Sequence, residues 1–95
     1  MNFAKLNKSQ MDWLLTHEFE TRGVITSIEI RLVKDVFNLD NLDIEGIRSV
    51  RNTVVCVTSN LKTGCREVGD WATFDRINDT MSGVTAVMDM YIYQN

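Results

Sequence analysis

Hydrophobic residues recur at helical spacing near the start of the chain and again after residue 70. Ser9 stands at a capping position before a first apolar stripe, which predicts a helix over residues 1–22 that ends before Gly23. Asp70 is a residue type favoured at helix N-termini and precedes a second stripe, which predicts a helix ending at Gly83. The two stripes consist of Met11, Leu14, Leu15 and Phe19, and of Trp71, Phe74, Ile77 and Met81.

Four other segments have the alternation or the β-branched content of strands. Apolar and charged residues alternate within residues 24–33, although the spacing of Ile28, Leu32 and Val36 leaves a helix as the alternative. Strands are also predicted from about residue 50 to 57, over 65–68 after a turn at Gly64, and over 84–93. A further helix is predicted over residues 34–45, closing at Gly46.

A short glycine signature occurs twice, as "EGIRSV" at residues 45–50 and as "SGVTAV" at residues 82–87. Glycine tolerates the left-handed backbone that often ends a helix, so each copy is interpreted as a junction between a helix and a strand. The order of elements then predicts an α+β ferredoxin-like βαββαβ fold. It has a four-stranded antiparallel sheet with two helices on one face. We expect a single domain over residues 1–95, with an extra helix at 1–22 and the ferredoxin-like core at 23–95.

The repeated pattern of glycine, branched apolar residue, spacer and valine resembles that of small ferredoxin-like domains such as ACT and heavy-metal-associated modules. The resemblance covers roughly residues 23–95 and concerns the fold. It does not fix an activity, because one fold carries many functions.

Composition limits the classes of partner that the chain is expected to bind. The chain has 95 residues, 44% of them hydrophobic, and a formal net charge of -3. This charge argues against a general affinity for nucleic acid or an anionic membrane. No apolar run reaches the roughly 18 residues of a membrane span, and the first residues lack the apolar stretch of a signal peptide. We therefore expect a cytoplasmic protein with two free thiols, Cys56 and Cys65.

The residues that the chemistries of this fold require are missing from the sequence. Two cysteines are too few for an iron–sulfur cluster, and the loop "RLVKDV" lacks the cysteine pair of heavy-metal-associated domains. The predicted central strands carry no aromatic residue for stacking RNA bases. His17 is the only histidine and has no nucleophile identifiable beside it. We therefore expect no catalytic residue, no cofactor and no metal site.

Seven residues are instead candidates for an interaction surface. Trp13 lies at the margin of the first helical stripe, and three arginines near Lys62 form the one possible basic patch. Alternation along the last predicted strand places one valine and two tyrosines on the open face of the sheet, a larger apolar area than a monomer usually exposes. The candidates are Trp13, Arg48, Arg51, Arg66, Val87, Tyr91 and Tyr93.

These observations favour a non-enzymatic protein-interaction module that binds another protein. We expect a homodimer formed through the open sheet face or the N-terminal helix. An accessory protein of a phage or mobile element fits this description. Two alternatives remain open: an ACT-like domain that senses a small molecule, and a cofactor-free dimeric ferredoxin-like enzyme with His17 or a tyrosine as its base.

Overall fold

A computed structural model describes residues 5–19 and 24–94, and these residues form helices joined by short links. The α helices are α1 (Lys8–Thr16), α2 (Ser27–Val36), α3 (Ile44–Val68) and α4 (Trp71–Tyr93). A short 3-10 helix, Leu39–Asn41, lies between α2 and α3. The 25-residue α3 and the 23-residue α4 make up most of the structure.

Helices α3 and α4 are joined by only two residues, Gly69 and Asp70. Gly69 has a φ of 72°, and its N–H donates to the carbonyl of Arg66, while the N–H of Asp70 donates to the carbonyl of Cys65. This is a Schellman motif, which ends a helix at a left-handed residue. The side chain of Asp70 then accepts the N–H of Thr73 at 3.2 Å and caps α4. The chain therefore reverses at once, and α3 and α4 form an antiparallel hairpin.

The sequence supports this hairpin because apolar residues recur three or four positions apart along both helices, with one step of seven from Leu61 to Val68, and these spacings place them on one face of a helix. The stripe on α3 comprises Val50, Val54, Val57, Leu61 and Val68, and that on α4 comprises Phe74, Ile77, Met81, Val84, Met88 and Tyr91.

The two shorter helices pack at one end of the hairpin, where α3 begins and α4 ends. We call this end the hairpin base and the opposite end, around Gly69, the hairpin tip. Both short helices have capping boxes, formed by Asn7 with Gln10 and by Thr26 with Glu29. The main buried cluster therefore lies at the base, while Thr58, Ile77 and Thr80 are buried further towards the tip. The members of the cluster share positions in the base half of the hairpin or in the segments packed on it. These members are Leu14, Val33, Phe37, Leu39, Ile47, Val50, Val54, Val84, Val87, Met88 and Ile92.

The predicted ferredoxin-like α+β fold is wrong, because no strand occurs within residues 5–19 and 24–94. The predicted strands at 50–57, 65–68 and 84–93 lie inside α3 and α4, and residues 27–33 of the remaining strand belong to α2. β-Branched residues misled the prediction. Their helical penalty is only a few tenths of a kcal/mol each, whereas burying a valine side chain contributes about 1.5 kcal/mol or more.

The predicted glycine junctions are also wrong. Gly46 lies in the first turn of α3, Gly64 lies inside α3 and Gly83 lies in the middle of α4. Among the described residues, Gly69 is the only glycine with a positive φ. The first helix is shorter than predicted, and residues 1–4 and 20–22 of its predicted range lie outside the described residues. The helix predicted over 34–45 is replaced by the end of α2, the 3-10 helix and the start of α3.

Candidate interaction surfaces

The hairpin tip exposes large apolar side chains. Val68, the last residue of α3, is 79% exposed, and Trp71, the first residue of α4, is 55% exposed. The indole of Trp71 contacts the ring of Phe74 edge-on, with the ring centroids 5.3 Å apart. Half-exposed tryptophans are frequent anchors of protein interfaces.

Two cations flank the aromatic pair at the tip. The Nζ atom of Lys62 and the guanidinium carbon of Arg66 lie 5.6 and 5.7 Å from the centroid of the Phe74 ring, within the range of cation–π attraction. Lys62 also donates to the side-chain carbonyl of Asn78 at 3.0 Å, which ties α3 to α4 near the tip. We use the name hairpin tip hereafter for the surface formed by Lys62, Arg66, Val68, Trp71 and Phe74.

The backbone beneath this surface is held by the cap described above. The pKa of Asp70 is lowered from its usual value, chiefly by the hydrogen bonds that its carboxylate accepts from the side chain and the backbone of Thr73. Asp70 is therefore ionised at neutral pH and remains an acceptor at the N-terminus of α4. The tip is thus a small apolar surface on a fixed turn, with the cations Lys62 and Arg66 and the exposed carboxylates of Glu67, Asp70 and Asp75 around it.

An open cleft of about 650 Å³ lies at the opposite end of the molecule. Its walls are the 3-10 helix, the start of α3 and Tyr91 of α4. Leu39, Leu42, Ile44 and Ile47 supply apolar surface, and three carboxylates, Asp40, Asp43 and Glu45, belong to its lining. We call these eight residues the base cleft.

A smaller cleft of about 320 Å³ lies beside the next turn of α3. Within it, the Nε atom of Arg51 donates to Asp89 at 2.7 Å and a terminal nitrogen donates to the second carboxylate oxygen at 3.3 Å, a two-point ion pair between α3 and α4. Arg48 and Tyr93 line the same cleft. Arg48 approaches Glu45 at 3.9 Å.

His17, the candidate base of the enzyme alternative, packs in an aromatic cluster at the end of α1. Its ring stacks on Trp13 with centroids 4.2 Å apart and meets Phe19 edge-on at 4.9 Å. Burial lowers the pKa of His17, and the negative charge of Glu29 opposes that effect. The Nε2 atom of His17 is buried and neither donates nor accepts a hydrogen bond. The imidazole therefore favours its neutral form.

The structure divides the seven candidate interaction residues among five places. Arg48, Arg51 and Tyr93 lie together in the smaller cleft, and Tyr91 lines the base cleft. Arg66 lies at the tip, 15 residues or about 22 Å further along α3 than Arg51, so the predicted basic patch is split. Trp13 packs against Phe37 as well as His17. Val87 is completely buried in α4, and the described residues form no sheet on whose open face it could lie.

Sequence reasoning missed the exposed tip. Trp71 belongs to a predicted apolar stripe, whose residues are normally buried, and Val68 belongs to a predicted strand. The dipeptide Gly69–Asp70 carried the signal, because a glycine that ends one helix directly before an aspartate that caps the next predicts a tight helical hairpin. Side chains at such a turn lie at the end of the molecule, where few neighbours cover them.

Comparisons with known proteins give this chain no family. It matches no protein-family model, no curated protein and no solved structure at a significant level. In the part of the chain that the structure describes, no helix is both long and apolar enough to cross a membrane. Residues 5–19 and 24–94 contain no group of three or more His, Cys, Asp or Glu side chains placed to hold a metal ion.

Proposed function

We propose that this chain is a small, non-enzymatic, cytoplasmic protein-interaction module and that the hairpin tip is its main contact surface. The exposure of Val68 and Trp71 beside two cations carries the proposal. Tryptophan and arginine are the residue types most enriched among those that dominate binding energy. The tip combines both on a turn whose backbone is fixed before binding, which lowers the entropy cost of association.

The two alternative functions lose their structural basis. An ACT-like sensor and a dimeric ferredoxin-like enzyme both need the sheet that the described residues lack. The ring of His17 is packed among aromatic side chains and its Nε2 atom is buried, so it gives the enzyme alternative no further support.

Affinity capture from the native host, with identification of the bound proteins, tests the proposal. The bait is compared with a Trp71→Ala variant and with Ile28→Ser as a matched control, since Ile28 on α2 is 78% exposed and lies away from the tip. A host protein that both the wild-type bait and the Ile28→Ser bait capture is then purified, and its affinity for each of the three baits is measured. We expect Trp71→Ala to weaken that affinity about 30-fold, the effect of a residue that contributes about 2 kcal/mol.

Circular dichroism must show that all three proteins unfold at similar temperatures, because changes at exposed positions usually alter stability by less than about 0.5 kcal/mol. Equal affinity of the wild-type protein and Trp71→Ala for the same partner would refute the role of the tip.

A further inference from the structure

We propose that residues 17–19 form an acid-sensitive strap across α4, and that protonation of His17 releases this strap from the helix. The strap lies on a different part of α4 from the hairpin tip, so the proposal does not depend on the proposed function. Its basis is a buried imidazole nitrogen that has no hydrogen-bond partner inside an aromatic cluster.

The strap is attached to α4 at two points. The hydroxyl of Thr80 donates to the carbonyl of His17 at 3.1 Å. The ring of Phe19 packs against Gly83, where an added Cβ would lie 2.8 Å from two of its carbon atoms. Thr80 and Gly83 are three residues apart and therefore lie on the same face of α4. Release of the strap would uncover this face.

The strap can leave α4 while α1 stays in place. The chain leaves α1 at His17, whose backbone is extended with a ψ of 138°. The strap supplies no residue to the main buried cluster, and Phe19 is only partly buried against that cluster. Leu14 is completely buried and holds α1 on the core. Segments with few buried apolar contacts are the ones that open locally, without unfolding of the rest.

The closed strap offers no acceptor to a charged imidazole. The ring of His17 stacks on Trp13 and meets Phe19 edge-on, and its Nε2 atom is buried without a partner. Only one nitrogen of a neutral imidazole donates, whereas both donate in the charged ring. Protonation would therefore bury a charged N–H without an acceptor, which is costly, while water supplies acceptors once the strap opens.

Two groups favour the charged ring but do not complete its hydrogen bonding. The face of Trp13 attracts a cation, and Glu29 of α2, which is only 5% exposed, acts on His17 through its negative charge. The carboxylate of Glu29 accepts the N–H and the hydroxyl of Thr26, and it does not accept a hydrogen bond from Nε2.

Charged groups on α4 and on the strap's own segment do not supply an acceptor either. Arg76 and Asp79 lie within one turn of Thr80 and carry opposite charges. Asp12 and Glu18 are exposed to solvent. Burial has the largest effect on the imidazole and lowers its pKa, so the closed strap holds fewer protons than the open one.

An NMR titration of the full chain between about pH 8 and 5 tests the proposal, because His17 is the only histidine and its ring signal reports its own protonation. The ring current of Phe19 displaces the α-proton signals of Gly83 as long as the strap is closed. We expect these signals to move towards those of a Phe19→Ala variant with the same midpoint as the His17 ring. The ratio of open to closed strap should rise up to about tenfold for each pH unit below about 6.5, until the pKa of the closed form is reached.

Two controls accompany the titration. His17→Gln keeps a planar polar side chain that does not titrate, so Gly83 should keep its closed-strap signals at every pH in this variant. Gly64 lies inside α3, away from the strap, and its signals should stay unchanged in both proteins.

Three results would overturn the proposal. Gly83 signals that stay fixed while His17 titrates would show that the cluster accommodates the charged ring. An equal shift in His17→Gln would assign the change to another group. Joint loss of the Gly64 and Gly83 signals would show global unfolding in place of local release. If His17→Gln does not fold, the agreement or disagreement of the two midpoints in the wild-type protein decides the matter.

Discussion

Gly83 provides the sharpest test of how the segment after α1 packs against α4. It lies in the middle of α4, and a Cβ added there would lie 2.8 Å from two ring carbons of Phe19, closer than carbon atoms pack. The ring cannot retreat freely, because it contacts Trp13 and His17 edge-on. The structure therefore assigns to this glycine the role of admitting an aromatic ring against the helix backbone.

Two effects of opposite sign decide the stability of Gly83→Ala. Replacing glycine by alanine inside a helix contributes about 0.8–1.0 kcal/mol to stability. Overpacking of a well-packed site costs about 1–3 kcal/mol. We expect a net loss of up to about 2 kcal/mol, and a shift of about 4–8 °C in the unfolding temperature for each kcal/mol in a chain of this size.

Gly64→Ala is the matched control, since Gly64 lies inside α3 and a Cβ there meets nothing within 4 Å. We expect it to stabilise the protein by about 1 kcal/mol. Thermal and urea unfolding, followed by far-UV circular dichroism, measure both variants. In a Phe19→Ala background the obstacle is gone, so Gly83→Ala should then be as favourable as Gly64→Ala. If Gly83→Ala stabilises the otherwise wild-type protein as much as Gly64→Ala does, the packing of Phe19 on α4 is refuted.

Three further predictions concern the turn, the aromatic cluster and the ion pair between the long helices. Gly69→Ala should destabilise the protein by about 1–2 kcal/mol in urea unfolding, because its φ of 72° is costly for any residue with a Cβ, and an unchanged midpoint would contradict the Schellman turn. Burial lowers the pKa of His17, so the folded state binds fewer protons than the unfolded state. The contribution of His17 to the free energy of unfolding should therefore be fully present above about pH 6.5 and should fall as the pH drops below that value. His17→Gln should remove this part of the pH dependence in urea titrations between about pH 7 and 5, whereas an identical slope in both proteins would contradict it. A double-mutant cycle with Arg51→Ala and Asp89→Ala should give a coupling of roughly 0.5–1 kcal/mol, and additive effects would show that the pair contributes nothing.

The helical parts of the prediction succeeded where caps and spacing agreed. Asp70 caps α4 as predicted, and the stripe that follows it is helical. The predicted end at Gly83 is wrong because a glycine inside a helix and a glycine beyond its end have the same sequence signature. Only the neighbouring ring of Phe19, 64 residues away along the chain, explains why glycine occurs there.

The last predicted strand shows why alternation misled the fold assignment. As a strand, residues 84–93 would bury Met88, Met90 and Ile92 together; as a helix, they bury Met88 and Ile92 and leave Met90 38% exposed. Both periods fit ten residues with many apolar positions. The helical spacing becomes clear only when the stripe is followed back through Val84 to Phe74, across the glycine at which the prediction stopped.

The candidate surfaces were harder to predict than the helices, because exposure depends on where α1 and α2 pack. A valine that ends a helical stripe is normally a core residue, and Val68 continues the stripe of Val54 and Leu61. It is exposed because the short helices cover the hairpin base and the Gly69 turn leaves nothing beyond it. No local pattern contains that information.

The distribution of burial connects the fold to the proposed function. Eleven residues form the main buried cluster, and all of them come from the base half of the hairpin or from the segments packed on it. The base therefore supplies most of the hydrophobic stabilisation, at roughly 25 cal/mol for each Å² removed from water. Val68 and Trp71 can therefore remain exposed at the tip without unfolding the protein. Hydrogen bonds of the Schellman turn and of the Asp70 cap hold the backbone of the tip in place. A molecule whose stability comes from one end can present an apolar contact surface at the other, and replacing Trp71 should accordingly affect association far more than folding.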